Sequence, residues 1–323
     1  MKNKTVYKQG ISLFITLLIS TLFLFTLIRL APGDPVKTFL GTPETSSVSS
    51  TNYQERYDEL KKELLLDKSI TSQYIAWVKK AITLDLGYSI YSKQSVSYEL
   101  LNKLPATLLL TIPAIIFQMI LGVLLGVLSA IYNNTAVDSI IRIICSFLAS
   151  IPGFALGLIL IYIFSVVLNM YEISTNITLS RLWLPAFTLG LISSPGIIRV
   201  VRTTMLEEMG KQYVGFLINI GASQKRITIN IMRNIILPII SINSTYFANL
   251  VGGSVVIENV FSWPGIGKYA MDSILKLDYP VIQGYGLLMV ILVIMFNMFV
   301  DKIYRIYNPA IKMGRESGEK SHV

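Results

Sequence analysis

The chain has 323 residues and a mass of 36.1 kDa; 53% of its residues are hydrophobic, only 15% are charged, and the mean hydropathy is +0.59. A soluble domain carries about 25% charged residues, so this composition points to lipid as the solvent and excludes intrinsic disorder, a disulfide scaffold and a collagen-like chain. One cysteine, Cys145, leaves no intramolecular disulfide, and one histidine, His322, leaves no histidine-rich metal site.

Charged residues interrupt the chain so as to leave uncharged runs at 9–28, 104–137, 143–171, 182–198, 234–257 and 279–300. A bilayer core of roughly 30 Å needs about 20 apolar helical residues, so each run is long enough for one crossing; the second and third have a loop's length to spare. Barrel strands alternate in polarity and do not give long apolar runs. The fold class expected is an all-α membrane protein with six transmembrane helices. Lys2, Lys4 and Lys8 precede the first run as they would in a signal sequence, but its length exceeds an h-region and no small-x-small cleavage site precedes Arg29. It reads as an uncleaved anchor.

Between the first two runs, the 75 residues from Arg29 to Lys103 hold ten basic and nine acidic residues. Tyr57, Leu60 and Leu64 recur at helical spacing there, and Ile75, Val78 and Ile82, with Trp77 beside them, form a second amphipathic stretch. The segment reads as a helical insertion, serving either as a cap on the span ends or as a docking surface. The remaining basic residues set the orientation. Fifteen Lys/Arg fall before residue 9, in 138–142, in 199–233 and after Asp301, against one in 172–181 and two in 258–278. Short loops rich in Lys/Arg stay cytoplasmic, which puts both termini in the cytoplasm and the insertion outside. The net charge of +9 is then mostly topology, and no basic soluble face offers itself to nucleic acid.

No Asp, Glu, Lys, Arg or His lies inside any of the six runs. Proton-coupled transporters keep such groups near the midplane, so transport here is expected to be passive or powered through a cytoplasmic surface. The one sizeable cytoplasmic loop, 199–233, has Tyr213, Phe216, Leu217 and Ile220 at i, i+3, i+4 and i+7. Gly221 then interrupts, and Ala222 begins a second helical stretch through Ile227 and Ile231, with Lys225 and Arg226 on its polar side and Leu237–Pro238 opening the next span. Periodicity leaves two readings: an amphipathic helix in the headgroups, or a lever gripped by another protein. Asn243, Ser244, Asn249 and Ser254 are polar positions of the fifth span, read either as pathway lining or as interhelical hydrogen bonds. Cys145 reads as a buried apolar thiol.

At this loop the chain resembles the membrane permeases of binding-protein-dependent ABC importers. Gly221 and Leu237–Pro238 match that family's loop, while Gly215, Phe216 and Leu217 stand where its acidic-Ala-Ala element falls, as in its peptide/nickel branch. The likeness extends over nearly the whole chain. It includes Arg29-Leu30-Ala31-Pro32-Gly33-Asp34-Pro35, Leu86-Gly87-Tyr88-Ser89, Leu104-Pro105-Ala106-Thr107, the run from Ile257-Glu258-Asn259 to Tyr269, and Asp278-Tyr279-Pro280. The run 257–269 is most similar to nickel permeases. Asp301 and Asn308-Pro309 resemble the terminal motif, with Asn308 and Ala310 in place of its usual Asp and Arg.

The resemblance implies a segment 1–103 of anchor plus external insertion, a permease core over 104–310 and a cytoplasmic tail from 311 to 323. It also implies a bacterial plasma (inner) membrane, a second homologous permease, one or two ATPase subunits and an extracytoplasmic solute-binding protein. The 213–232 hairpin would be the coupling helix, with Tyr213, Phe216, Leu217 and Ile220 as apolar grip, Gly221 and Ala222 at the bend and Arg226 as polar anchor. Cargo would be nickel, crossing as a chelate, or small peptides. Gly265-Ile266-Gly267-Lys268 lacks phosphate-loop spacing, so ATP and Mg would belong to the ATPase partners. A secondary transporter or channel acting alone, and a membrane scaffold, are the competing classes.

Overall fold

In the computed structural model the chain is described over residues 2–41, 50–174 and 176–307, with side chains outside the description at 2–10, 12, 14, 50, 51, 237, 241–245 and 304–307. The described residues are almost entirely helical; their one β-type pairing is an isolated antiparallel bridge between Tyr88 and Ser95. Twelve helices follow in order: α1 (Lys2–Leu30), α2 (Pro35–Leu40), α3 (Ser50–Glu63), α4 (Ile70–Ile82), α5 (Val96–Ile131), α6 (Ala136–Ser150), α7 (Gly153–Ile161, continued by a π-turn at Tyr162–Val167), α8 (Leu179–Met209), α9 (Gln212–Asn219), α10 (Gln224–Val260), α11 (Ile266–Leu275) and α12 (Tyr279–Tyr307). Among the described residues α5, α8 and α12 are long and apolar enough to cross a membrane, and α6 with α7 forms a fourth candidate bent by 99°. In α1 the described apolar stretch is Ile15–Leu30, and α10 carries the 234–257 run, part of whose side chains lie outside the description.

Two departures from the sequence reading have local causes. The 143–171 run is not one straight span, because it breaks at Ile151-Pro152. Proline disfavours the α conformation in the residue before it, and Ile151 is extended at φ −82°, ψ 127°. The second stretch of the hairpin is not a separate helix, nor does Leu237–Pro238 open a span: α10 runs unbroken for 37 residues with Pro238 inside it. Proline removes one helical hydrogen bond, a loss that long packed membrane helices tolerate.

The chain divides into two compact units. The first comprises residues up to Ala106 with Pro264–Ile294. Here Asp34 caps α2, accepting from the Val36 and Lys37 amides, and accepts the Tyr57 hydroxyl at 2.6 Å, while the Tyr53 hydroxyl donates to the Gly41 carbonyl at 2.7 Å. That short bond to Asp34 pushes the Tyr57 phenol up to about 12. In α4 the face turned inward differs from the expected one. Ile75 and Ile82 are exposed, and Trp77, named beside them, packs together with Tyr74 on buried Phe25 of α1; such aromatic pairs add to the area they bury. The Leu86–Ser89 and Asp278–Pro280 motifs meet, Ser89 donating to Asp278 at 2.6 Å and the Ile90 amide at 3.2 Å. Gly33, at φ +124°, lies so close to Leu277 that a Cβ would stand 2.6 Å from its Cδ1. Ile266 and Gly267 are buried at the start of α11, Ile266 packing with Val96, Leu100 and Val281; this gives the Gly265–Lys268 stretch a packing role.

The second unit, Thr107–Trp263 with residues from Met295 on, is a bundle built on α8. Close approach to α5 depends on glycines: a Cβ on Gly122 would stand 2.4 Å from Ile197 Cγ2, and one on Gly126 would stand 2.6 Å from Val201 Cβ and 2.9 Å from the Ile198 carbonyl. Small residues at such contacts let helices pack where lipid supplies no hydrophobic drive. Thr107 and Glu258, each from one of the sequence motifs, also meet here, Thr107 donating to buried Glu258 at 2.7 Å. Gly126→Leu should therefore overpack the α5–α8 contact and destabilise the protein by about 1–3 kcal/mol. A lowered thermal midpoint in detergent checks this, with membrane insertion unchanged.

Candidate functional site

The segment joining α8 to α10 has a rigid local design. Helix α9 ends in a Schellman motif: Gly221 takes φ +73°, its amide bonds the Ile218 carbonyl at 2.9 Å, and the Ala222 amide bonds that of Leu217 at 3.0 Å. Glycine is needed because the left-handed region is costly for other residues. Ser223 then caps α10, its hydroxyl accepting from the Arg226 amide. Helix, glycine bend and capped helix follow without slack.

The apolar positions of α9 point two ways. Val214 is buried at 3% exposure, and Tyr213, Leu217 and Ala222 pack with it against Ile227, Ile231, Ile235 and Met205. Phe216, Ile218 and Ile220 stand out at 64%, 59% and 55% exposure. The expected stripe of Tyr213, Phe216, Leu217 and Ile220 is thus split between an inner and an outer face. Val214 and Ile218 are additions to it. The sequence held too little signal to separate the faces, since apolar residues occupy nearly every direction around so short a helix.

One carboxylate ties the segment to its neighbours. Glu208, near the end of α8, accepts the Tyr213 hydroxyl at 3.0 Å and the Asn234 amide at 2.9 Å on Oε1, and the Lys211 ammonium at 2.5 Å on Oε2; Asn234 also donates to the Tyr213 oxygen at 3.1 Å. Burial alone would raise the Glu208 pKa, but bonds from Lys211, Asn234 and Tyr213 outweigh it and hold the carboxyl below its ordinary value. A second tie lies further back on α8. Asp138 is fully buried and accepts Arg202 at 2.8 Å on each oxygen, Ser129, and the Asn134 amide. The Arg202 guanidinium holds its carboxyl well below the carboxylate range. Neither carboxylate was singled out in the sequence, because their partners are 64 and 26 residues away.

Arg226 is exposed and lines a groove of about 360 Å³ with Ser223, Lys225, Asn230 and Arg233. A second groove, of about 520 Å³, lies among α7, α8 and α10, its polar margin formed by Ser193, Arg199, Tyr246 and Asn249. Of the polar positions expected in the fifth span, Asn249 is exposed in this groove, whereas Ser254 is buried and its hydroxyl donates to the Val251 carbonyl at 2.7 Å. The side chains of Asn243 and Ser244 lie outside the described residues, as do Asn308, Pro309 and Ala310. Cys145 is buried against Ile141 and Ile198. Among the described residues no group of three or more His, Cys, Asp or Glu could hold a metal ion.

Residues 122–313 match the model of the binding-protein-dependent transport system inner membrane component. The chain belongs to that family. It is 30% identical over 308 residues to the glutathione transport system permease protein GsiC of Escherichia coli K12, covering 95% of this chain and 98% of that one. It is 33% identical over 324 residues to the di/tripeptide transport system permease protein DppB of Pseudomonas aeruginosa, covering 91% and 94%. A chain of the MetNI methionine ABC transporter, solved in inward-facing conformations, superposes with a TM-score of 0.57 over 65% of this chain and 96% of that one, at 20% identity; that likeness establishes the fold. This is a multi-pass inner-membrane permease subunit of an ABC importer, and α8, α9 and α10 all lie within the matched residues.

The Glu208 junction makes a pH prediction. A carboxyl whose folded pKa is depressed contributes stability above its unfolded value, about 4.3, and loses it as pH falls through the folded value. Thermal midpoints of the detergent-solubilised protein should therefore drop on acidification below about pH 4. Glu208→Gln should lower the neutral-pH midpoint, by the equivalent of about 1–3 kcal/mol, and flatten that acid limb.

Proposed function

We propose that the chain forms half of the solute pathway of an ATP-driven importer, with the Tyr213–Met232 hairpin as the element that a separate ATPase moves. The single observation carrying this reading is the exposed apolar tip, Phe216, Ile218 and Ile220, on a hairpin that the Schellman turn and Glu208 hold rigid. An apolar patch of this kind marks a protein or membrane contact, and the rigidity behind it, which force transmission from a protein requires, favours the protein. Phe216, Ile218 and Ile220 supply the grip, Gly221 and Ala222 the bend, and Tyr213 and Leu217 the anchorage to α10. Arg226 offers a charged contact beside them.

Six spans with both termini in the cytoplasm fit the distribution of Lys/Arg. That topology puts the hairpin inside and the α2–α4 insertion outside, where a solute-binding protein docks. A second permease completes the pathway, and ATP with Mg is bound by the ATPases. The cargo we assign is small peptides: the two relatives above are named for glutathione and for di/tripeptides, and neither for nickel. The likeness of 257–269 to nickel permeases keeps a nickel chelate as the second reading. An autonomous secondary transporter is disfavoured by the absence of ionisable residues from the six runs.

Phe216→Asp should abolish co-purification of the ATPase subunits and ATP-dependent uptake while leaving membrane insertion intact. Retained ATPase binding in that variant would contradict the assigned lever. Uptake of labelled tripeptide against labelled nickel chelate by the wild-type importer decides the cargo, and uptake without any ATPase would contradict the whole reading.

A further inference from the structure

The groove among α7, α8 and α10 has a polarity gradient. Leu189 lies by Gly253 and Tyr246 by Gly196, so along α8 and α10 the lining passes from Leu189, Ile192 and Val256, with Phe154 of α7 and the polar Ser193, to Tyr246, Asn249 and Arg199. Residues 189–199 of α8 and 246–256 of α10 each span about 15 Å at the helical rise, so the groove is long enough for a short extended peptide. Arg199 is the only charged residue among the described residues lining it. The Arg199 Nε donates to the Pro195 carbonyl at 3.2 Å, which fixes the guanidinium's approach, while the side chain stays exposed. Tyr246 is seated against Gly196 so tightly that a Cβ there would stand 2.4 Å from the ring; the polar end is therefore sterically defined.

Arg199 stands at the charged end of the 182–198 run and Asn249 is exposed on α10; polar groups at such positions are costly against lipid tails, so the polar end is suited to water and solute. Its charge is positive, and no Asp or Glu is among the described residues lining the groove to receive an ammonium. Guanidinium pairs best with a planar oxyanion, in bidentate geometry. Resting on the peptide reading above, we infer that Arg199 receives the C-terminal carboxylate of the peptide in passage, with the peptide's side chains along the apolar end of the groove. The assignment makes Arg199 a specificity residue and the free carboxylate a feature the permease itself recognises.

The test uses the complete importer reconstituted in liposomes with its partner permease, ATPases and binding protein. Phenylglyoxal modification of Arg199, read by peptide mass spectrometry, should be slowed by trialanine but not by trialanine amide. Arg199→Gln should reduce trialanine uptake about tenfold, the value of one lost charge-assisted contact, with ATPase co-purification unchanged, and Arg199→Lys should restore part of it. Equal protection by acid and amide overturns the inference, giving Arg199 a structural or lipid-headgroup role. Normal trialanine uptake by Arg199→Gln overturns it as well. A wild-type importer that moves nickel chelate and no peptide overturns the peptide reading itself, which separates the two failures.

Discussion

Lipid tails offer a polypeptide no hydrogen-bond partner, and this constraint accounts for most of what the chain does. It requires helices, and it drives charged residues to the ends of the apolar runs. Several charges that remain buried near those ends are satisfied locally. Asp138 is held by Arg202, Ser129 and the Asn134 amide, Glu258 accepts Thr107, and Arg181 donates to the carbonyls of Glu172, Asn176 and Phe261. These arrangements fix the ends of the apolar segments.

Removing slack is the common theme of the α8–α10 region. The Schellman turn at Gly221 allows no freely jointed loop, Glu208 binds the end of α8 to both Tyr213 and Asn234, and α10 continues without a break from the hairpin through the uncharged run 234–257. In the proposed function, displacement of α9 by an ATPase would reach the pathway as movement of one long helix. A flexible joint at Asn234 or Pro238 would dissipate that displacement; the 37-residue continuity of α10 is therefore central to the reading.

Much of this was legible in the sequence, for identifiable reasons. Long uncharged runs predict helices because lipid admits little else, and Gly221 predicts the bend because few other residues accept φ +73°. The ordered motifs led to the family, and the structure gives several of them a physical basis: Ser89 with Asp278, Thr107 with Glu258, and Gly33 against Leu277. What escaped depended on contacts distant in the chain. Periodicity alone gave no sign of which face of α9 packs on Ile231 and Ile235, that Tyr74 joins Trp77 on Phe25 while Ile75 and Ile82 are exposed, or that Pro238 lies within a continuous helix. Glu208 and Asn234 were unremarkable as letters 26 positions apart.

The central claim is that the tip of α9 lies in the cytoplasm and is covered by an ATPase. Gly215 suits a direct measurement: it is exposed, a Cβ there would meet nothing within 4 Å, and the native Cys145 is buried. The account predicts that Gly215→Cys reacts with a membrane-impermeant maleimide in inside-out vesicles only, and that bound ATPase subunits protect it. Labelling in right-side-out vesicles, or labelling that ATPase subunits leave unchanged, would contradict it.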